Sequence, residues 1–175
     1  SKRTYPHLNC RGLNWHVDET YIRVGGKWRY LWRAVDQNGK FIDFRLTARR
    51  DAKATRAFLK QAIEGVRFYR PVCICTDKAH AYRKEIRRLN FQYDPHFDSI
   101  KHSDKKYRNN RIESDHAALK RIIGPGKGFQ TLRSAKATLS GVEAIRSIKR
   151  GHIYNALPGV KGEIAFVHSL FKLAA

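Results

Sequence analysis

The sequence has no methionine and only three cysteines among its 175 residues. Cys10, Cys73 and Cys75 form an odd set without a CxxC pair, which argues against a disulfide framework and favours a reducing cytoplasm. His7 and Cys10 resemble the start of a zinc site, but no second ligand pair follows at zinc spacing. The lack of methionine predicts that the native chain begins upstream of Ser1.

Long apolar runs and nucleotide-binding loops are also missing. No run approaches the roughly 20 apolar residues of a membrane helix, and no signal peptide opens the chain. The glycine-rich stretch "GPGKG" lacks the GxxxxGK[ST] spacing of a phosphate-binding loop. We therefore expect a soluble domain with no membrane partner and no nucleotide cofactor.

Acidic residues are scarce: 15 Asp and Glu stand against 36 Lys and Arg, for a net charge of +21. Such an excess is typical of a protein that binds nucleic acid, because each neutralised phosphate releases condensed counterions. A DNA-coating or ribosomal protein would share this charge. The chain is 42% hydrophobic and contains three Trp, eight Tyr and nine Phe, so it has the residues for a substantial core.

Hydrophobic periodicity predicts three antiparallel strands followed by a mixture of helices and strands. Alternation predicts strands at 14–24, 27–36 and 40–47, with turns at Gly25-Gly26 and Asn38-Gly39. Asp51 is the predicted cap of a helix. The remaining predictions are helices at 52–66, 80–89, 112–123 and 134–150, a buried strand at 72–76, and a loop at 92–108 around at most one short strand.

Three acids fall at particular places in this order: Asp18 on the first strand, Asp77 after the fourth strand, and Glu113 on a later helix. The intervals are 59 and 36 residues. An Asp in mid-strand is disfavoured by β propensity, which indicates a functional role. The alternatives are a strand-edge carboxylate for Asp18, a helix cap for Asp77, and a surface ion pair with Lys120 for Glu113.

Other residues near these acids have different predictions. Alternation along a strand turns Glu19 to the face opposite Asp18, which makes it a poor ligand for the same site. A helical wheel places Asp115 on the apolar face with Ile112 and Ile122, so we expect a local hydrogen bond or salt bridge there. His116 faces partly inward, as either a packed histidine or a proton carrier.

Several phrases occur in a characteristic order: "WHVDETYIRVGGKWRYLWRAVD", "TDKAHAY", "KYRNNRIESDH" and "GFQTLRSAKATLSGVEAIRSIKR". Together they resemble the insertion-sequence-six family of bacterial DDE transposases over nearly the whole chain. The resemblance implies an α/β, RNase H-like (retroviral integrase-like) fold with a mixed central sheet and flanking helices. It also implies metal-dependent DNA strand cleavage and strand transfer, and by motif Asp18, Asp77 and Glu113 match the catalytic and metal-binding triad.

The chemistry of phosphodiester transfer explains why acids are needed in so basic a chain. Two ions roughly 3.5 to 4 Å apart activate the nucleophile and stabilise the leaving oxygen, and Mg²⁺ prefers hard oxygen ligands. Our hypothesis is that Asp18 bridges two Mg²⁺ ions while Asp77 holds one and Glu113 the other, with Mn²⁺ able to substitute. Water first frees a 3′-hydroxyl at the element's end, and that hydroxyl then attacks target DNA.

The same hypothesis predicts the residues that contact DNA and the binding partners. Lys78, Arg111, His116 and Lys120 flank the triad and are candidate DNA contacts. Double-stranded DNA, as element ends and target, is the expected substrate of a bacterial, nucleoid-associated cytoplasmic protein. Holding two DNA ends together implies a homodimer or higher assembly.

The expected organisation has three parts. Residues 1–13 are a lead-in, the remnant of a linker to an upstream helix-turn-helix region of the kind that relatives carry. Residues 14–150 form the catalytic domain, and residues 151–175 a C-terminal tail or helix. Two other functions stay open: an RNase H-like nuclease that does not join strands, and a non-catalytic DNA-binding protein.

Overall fold

The structure is a computed structural model, and it describes residues 13–66, 70–77, 80–92, 99–104, 110–124, 128–154 and 157–171. Five strands and five helices are present in this part of the chain. The strands are β1 (Asn14–Val24), β2 (Lys27–Asp36), β3 (Phe41–Thr47), β4 (Cys73–Cys75) and β5 (Lys101–Ser103). The helices are α1 (Ala52–Gly65), α2 (His80–Gln92), α3 (Asn110–Ile123), α4 (Leu132–Lys149) and α5 (Gly159–Phe171).

The strands form one mixed sheet in the order β3-β2-β1-β4-β5. β1, β2 and β3 are antiparallel neighbours, as the alternation and turn signals predicted. The β1–β2 turn requires two left-handed residues, and Gly25 and Gly26 supply them with φ of 57° and 72°. β4 and β5 join the other edge of β1 as parallel strands. The predicted mixed sheet with flanking helices is confirmed.

Alternation along β1 separates two hydrophobic clusters. Trp15 and Val17 face a cluster that includes Phe58 and Leu59 of α1 and Ile86 of α2. This cluster anchors the helix pair α1 and α2 to one side of the sheet.

The opposite side of the sheet carries α3 and α4. Ile22 and Val24 of β1 pack there with Leu119 of α3 and Leu139 of α4, and Phe166 of α5 lies partly buried against the same cluster. Asp18 has the parity of Ile22, so its side chain belongs to this second face.

Helix boundaries agree with the predictions to within a few residues. Asp51 caps α1 as predicted, because its Oδ1 accepts a hydrogen bond from the Ala54 amide at 2.8 Å. α4 begins two residues earlier than predicted because Thr131 forms a capping box with Ser134. Ile122, predicted for the apolar face of α3, is 55% exposed.

The rest of the chain adds two observations. No helix in the described ranges combines the length and apolarity needed to cross a membrane. Residues 1–12 of the predicted lead-in lie outside the described residues, and the predicted tail contains α5. The domain boundaries themselves stay a prediction.

Candidate active site

The parallel pairing of β1 with β4 brings Asp18 and Asp77 together. Trp15 pairs with Ile74 and His16 with Cys75. Continuing this register by two residues sets Asp18 beside Asp77, which follows directly after β4. Carboxylate oxygens of Asp18, Asp77 and Glu19 lie within 4.8 Å of one another. Two acids that are 59 residues apart in sequence therefore share one site.

The position of Glu19 corrects the sequence prediction that it lies away from this site. Glu19 does have the parity of Val17, and its Oε2 accepts a hydrogen bond from the Tyr82 hydroxyl of α2 at 2.6 Å. However, β4 ends at Cys75, so on the edge of β1 opposite β2 no strand of the described sheet flanks β1 beyond that point. The two faces are not separated there, and a long side chain can approach Asp77 from the far face.

Arg50 is a member of the site that the sequence analysis missed. Its guanidinium forms an ion pair with Glu19 and lies 3.5 Å from Asp77 Oδ2. Arg50 directly precedes Asp51, the cap of α1, so the start of that helix fixes where the guanidinium lies. The basic run "ARRD" before the cap was the available signal.

The acids raise one another's affinity for protons. Burial is the main reason that the pKa of Asp18 rises to about 7, and the charge of Glu19 adds to it, with smaller contributions from Asp77 and Glu113. Burial also raises the pKa of Glu19, against the opposing effects of Tyr82 and Arg50. Bringing several carboxylates together is therefore electrostatically unfavourable unless a cation joins them.

Glu113 lies on α3 and is not one of the three clustered carboxylates. It lies in the first turn of that helix and is exposed, while Ile112 and Asp115 on either side of it are buried. Its charge contributes to the raised pKa of Asp18. The alternative ion pair with Lys120 is not formed among the described residues.

The donor set fits a hard divalent cation. It consists of carboxylate oxygens alone, with no thiol and no imidazole in the clustered group. Oxygen ligands of this kind suit Mg²⁺, which retains water in its other positions.

The likeness to known proteins agrees with this geometry. A family model described as a DDE domain matches residues 12–152. The chain belongs to the DDE domain family. The transposase for the insertion sequence-like element IS431mec of Staphylococcus aureus strain Mu50 is 37% identical over 138 residues, which are 77% of this chain and 57% of that protein. The resemblance to the insertion-sequence-six family is confirmed, and the chain spans about 57% of the length of the curated relatives it matches.

The solved structures similar to this DDE domain include viral integrase chains. The HTLV-2 integrase catalytic core domain in complex with magnesium has a TM-score of 0.53 at 19% identity, covering 79% of this chain and 88% of that one. A chain of the simian T-cell lymphotropic virus intasome with PP2A regulatory subunit B56 gamma has a TM-score of 0.55 at 20% identity, covering 85% and 52%. The predicted RNase H-like fold is confirmed.

A buried ionic network supports α3 in this DDE domain. Asp115 lies 2.5 Å from Arg33 Nη1 and 3.0 Å from Arg150 Nη1, and it also pairs with Arg146. Burial acts to raise the pKa of Asp115, but the charges and hydrogen bonds of Arg33 and Arg146 outweigh it and lower that pKa to about 2. The expectation of a local salt bridge is confirmed. The Arg33 partner, 82 positions away in the sequence, could not be inferred from a helical wheel.

His116 lies inside the domain. It is 6% exposed, and its Nδ1 lies 3.6 Å from Asp18 Oδ2. Burial, followed by the charge of Arg33, lowers the pKa of His116 to about 3. A neutral, packed imidazole next to Asp18 agrees with the packing alternative. Its role as a DNA contact stays a prediction.

The other predicted DNA contacts differ in position. Arg111 and Lys120 are both exposed on α3, Arg111 in its first turn and Lys120 in its last. Arg111 lines a cavity of about 610 Å³ together with Arg150 and His152. Lys78 lies outside the described residues.

Proposed function

We propose that this chain is the catalytic domain of a transposase that cleaves DNA and joins the freed end to a target during transposition of a bacterial insertion sequence. One observation carries the proposal: in a DDE domain, the fold brings the carboxylates of Asp18 and Asp77 together where β4 ends. A net charge of +21 on the whole chain supports a polyanionic substrate.

The metal-binding and catalytic residues we propose are Asp18, Asp77 and Glu113. Asp18 is central, because its carboxylate lies near that of Asp77 and its pKa responds to both Asp77 and Glu113. When bound, two divalent ions supply an activated nucleophile and stabilise the leaving oxygen. Asp18, Asp77 and Glu113 would supply the carboxylate oxygens that hold these cations, which explains the presence of acids in so basic a chain.

Side chains next to the acids position the acidic carboxylates. Tyr82 and Arg50 hold Glu19, and Arg50 also reaches toward Asp77. The guanidinium of Arg50 is 42% exposed, so it is accessible to a phosphate oxygen of bound DNA. Lys78, Arg111 and Lys120 are the further phosphate contacts we propose, and His116 borders Asp18 from within.

The cofactor, partners and location are part of the same proposal. Mg²⁺ is the expected metal, and Mn²⁺ offers the same preference for oxygen ligands. The substrate is double-stranded DNA, and a homodimer or higher assembly would hold two element ends. Such a protein works in the bacterial cytoplasm at the nucleoid.

Strand joining tests the proposal directly. The chain, preceded by the DNA-recognition region predicted upstream of it, is incubated with pre-nicked element-end DNA, a plasmid target and Mg²⁺. We expect joined product from the wild type and none from Asp77→Asn, at unchanged DNA affinity. Glu64→Gln is the matched control, because it removes one negative charge from the exposed surface of α1.

Three outcomes separate the alternatives. Joining that depends on Asp77 supports a strand transferase. Metal-dependent nicking without joined product would indicate a nuclease. DNA binding with neither cutting nor joining under any metal would reduce the chain to a binding module.

A further inference from the structure

A groove of about 840 Å³ is lined by residues of β1, β2 and α3 and includes none of the three proposed catalytic acids. We call it the hairpin groove, because the β1–β2 hairpin forms one wall and the end of α3 another. Its lining includes the aromatic residues Tyr21, Trp28 and Phe129 and the basic residues Arg23, Lys120 and Arg121.

The groove exists because β1 is longer than its parallel neighbour. β4 pairs with β1 only from Asn14 to His16. At the other end of β1, Phe129 closes the gap, since its amide donates to the Arg23 carbonyl at 2.8 Å and its carbonyl accepts from Gly25 at 2.7 Å. Between these two contacts, no described strand pairs with this edge of β1.

The walls of the groove combine flat aromatic surface with positive charge. Trp28 is 64% exposed and Tyr21 is 49% exposed, so both present a large aromatic area to the groove. The Arg23 guanidinium lies 5.9 Å from the centre of the Trp28 ring. Aromatic faces for stacking, together with cations for phosphate, match the two parts of a nucleotide.

The groove lies within reach of DNA bound at the acids. Tyr21 is three residues beyond Asp18 on β1, a span of about 10 Å at the rise of a strand. Lys120 is seven residues beyond Glu113 on α3, also about 10 Å at the rise of a helix. This span corresponds to about three stacked nucleotides at 3.4 Å each.

We infer that the hairpin groove binds an unpaired base of the DNA strand that adjoins the cleaved phosphodiester, with Trp28 as its stacking surface. The inference rests on the proposed function, because it places the reacting phosphate at Asp18 and Asp77. Arg23 and Lys120 hold the flanking phosphates. A base within a duplex has both faces covered by its neighbours, so the groove selects single-stranded or frayed DNA.

Tryptophan fluorescence tests this inference with no added label on the protein. Trp15 and Trp32 are 2% and 1% exposed, whereas Trp28 is 64% exposed, so a base that stacks on Trp28 quenches the accessible part of the emission. The probe is an oligothymidine single strand, compared with a duplex whose ends are closed by hairpins. Anisotropy of a labelled copy of each DNA measures binding independently.

The expected result is saturable quenching by the single strand that the closed duplex does not produce. Trp28→Phe should keep the affinity for single-stranded DNA, because an aromatic ring for stacking remains. It should lose the quenching, because the exposed indole that emits is gone. Trp28→Ala should weaken single-strand binding about 5- to 150-fold, the loss of one stacked base. Phe91→Ala is the matched control, since Phe91 is 92% exposed on α2 and does not line the groove.

Several results would overturn the inference. Binding without quenching would place the base elsewhere, and equal quenching by the closed duplex would show that no unpaired base is required. A change in oligomeric state with Trp28→Ala, at unchanged single-strand affinity, would assign the groove to a second copy of the chain. Strand joining without quenching would refute this inference alone, whereas quenching without joining would refute the proposed function alone.

Discussion

Arg33 of β2 and Asp115 of α3 form a buried ion pair, with 2.5 Å between Nη1 and Oδ2. Despite this short distance, Arg33 Nη1 forms no hydrogen bond with any described residue. The other terminal nitrogen, Nη2, donates a hydrogen bond to Glu143 Oε1 at 2.8 Å. Arg33 is the cross-strand partner of Asp18, and Asp115 is two residues from Glu113. The pair therefore ties the strand beside one proposed metal ligand to the helix that carries another.

Loss of the Asp115 carboxylate should strongly destabilise the domain. Asp115→Asn leaves Arg33 and Arg146 buried with less negative charge to balance them, and breaking a buried pair on one side costs about 3–5 kcal/mol. We expect a fall of that size in the free energy of unfolding, measured by urea denaturation.

The control for this variant is an ion pair at the surface. Lys60 and Glu64 are 3.7 Å apart and more than half exposed, so Glu64→Gln should change the free energy of unfolding by less than about 0.5 kcal/mol. Equal effects of the two substitutions would contradict the structural role given to Asp115.

Acid should remove the same contribution from the wild-type protein. The pKa of Asp115 is lowered from 3.8 to about 2 in the folded state, so its stabilisation is present above pH 3.8 and is lost as pH falls through 2. The loss is roughly 2 kcal/mol. We expect the stability difference between wild type and Asp115→Asn to shrink over this window, measured by urea denaturation at a series of pH values. A constant difference would contradict the assignment.

The sequence predicted most of the framework because alternation and helical spacing are local properties. The three long strands and the predicted helices were found, as were the positions of Asp18 on the first strand and Asp77 after the fourth. Glu19 was misjudged because alternation describes a strand flanked on both sides, whereas β1 extends past β4. The early end of β4 is set by packing across the sheet, which no local pattern records.

Ion pairs between residues far apart in the sequence could not be predicted either. The wheel position of Asp115 indicated a polar partner, but it could not identify Arg33 on a distant strand. Arg50 was missed because it joins the site only when α1 packs beside α2, which brings it to the Glu19 that Tyr82 also holds. Such contacts depend on the complete fold.

Two glycines should respond in opposite ways to alanine. A Cβ at Gly128 would lie 2.9 Å from Arg23 Cβ and 3.0 Å from its carbonyl oxygen, so Gly128→Ala should push Phe129 away from β1 and destabilise the domain by about 1–3 kcal/mol. Gly141 lies within α4 with open space around it, so Gly141→Ala should stabilise by about 0.5–1 kcal/mol. Thermal unfolding measures both, and a neutral Gly128→Ala would contradict the close approach.

Magnesium should stabilise the protein through the acidic site. A ligand at about 100 times its Kd adds about 2.7 kcal/mol, and each kcal/mol raises Tm by about 2–4 °C in a domain of this size. Asp18→Asn should remove this increment, because Asp18 is clustered with Asp77. It should also raise Tm in EDTA, because the pKa of Asp18 is raised to about 7 by burial and by Glu19, so the charged form is disfavoured at neutral pH.

Glu19→Gln decides whether Glu19 is a metal ligand or a positioning residue. Its oxygens lie near those of Asp18 and Asp77, but Tyr82 and Arg50 already contact its carboxylate. We therefore expect Glu19→Gln to keep the Mg²⁺-dependent rise in Tm and to slow strand joining, because Arg50 is no longer held by a charge. Tyr82→Phe, which removes only the hydroxyl that donates to Glu19, should have the same pattern with a smaller effect. If Glu19→Gln instead abolishes the Mg²⁺-dependent rise in Tm, as Asp18→Asn is expected to do, Glu19 is itself a metal ligand. The metal site then includes a carboxylate from the face of β1 opposite Asp18.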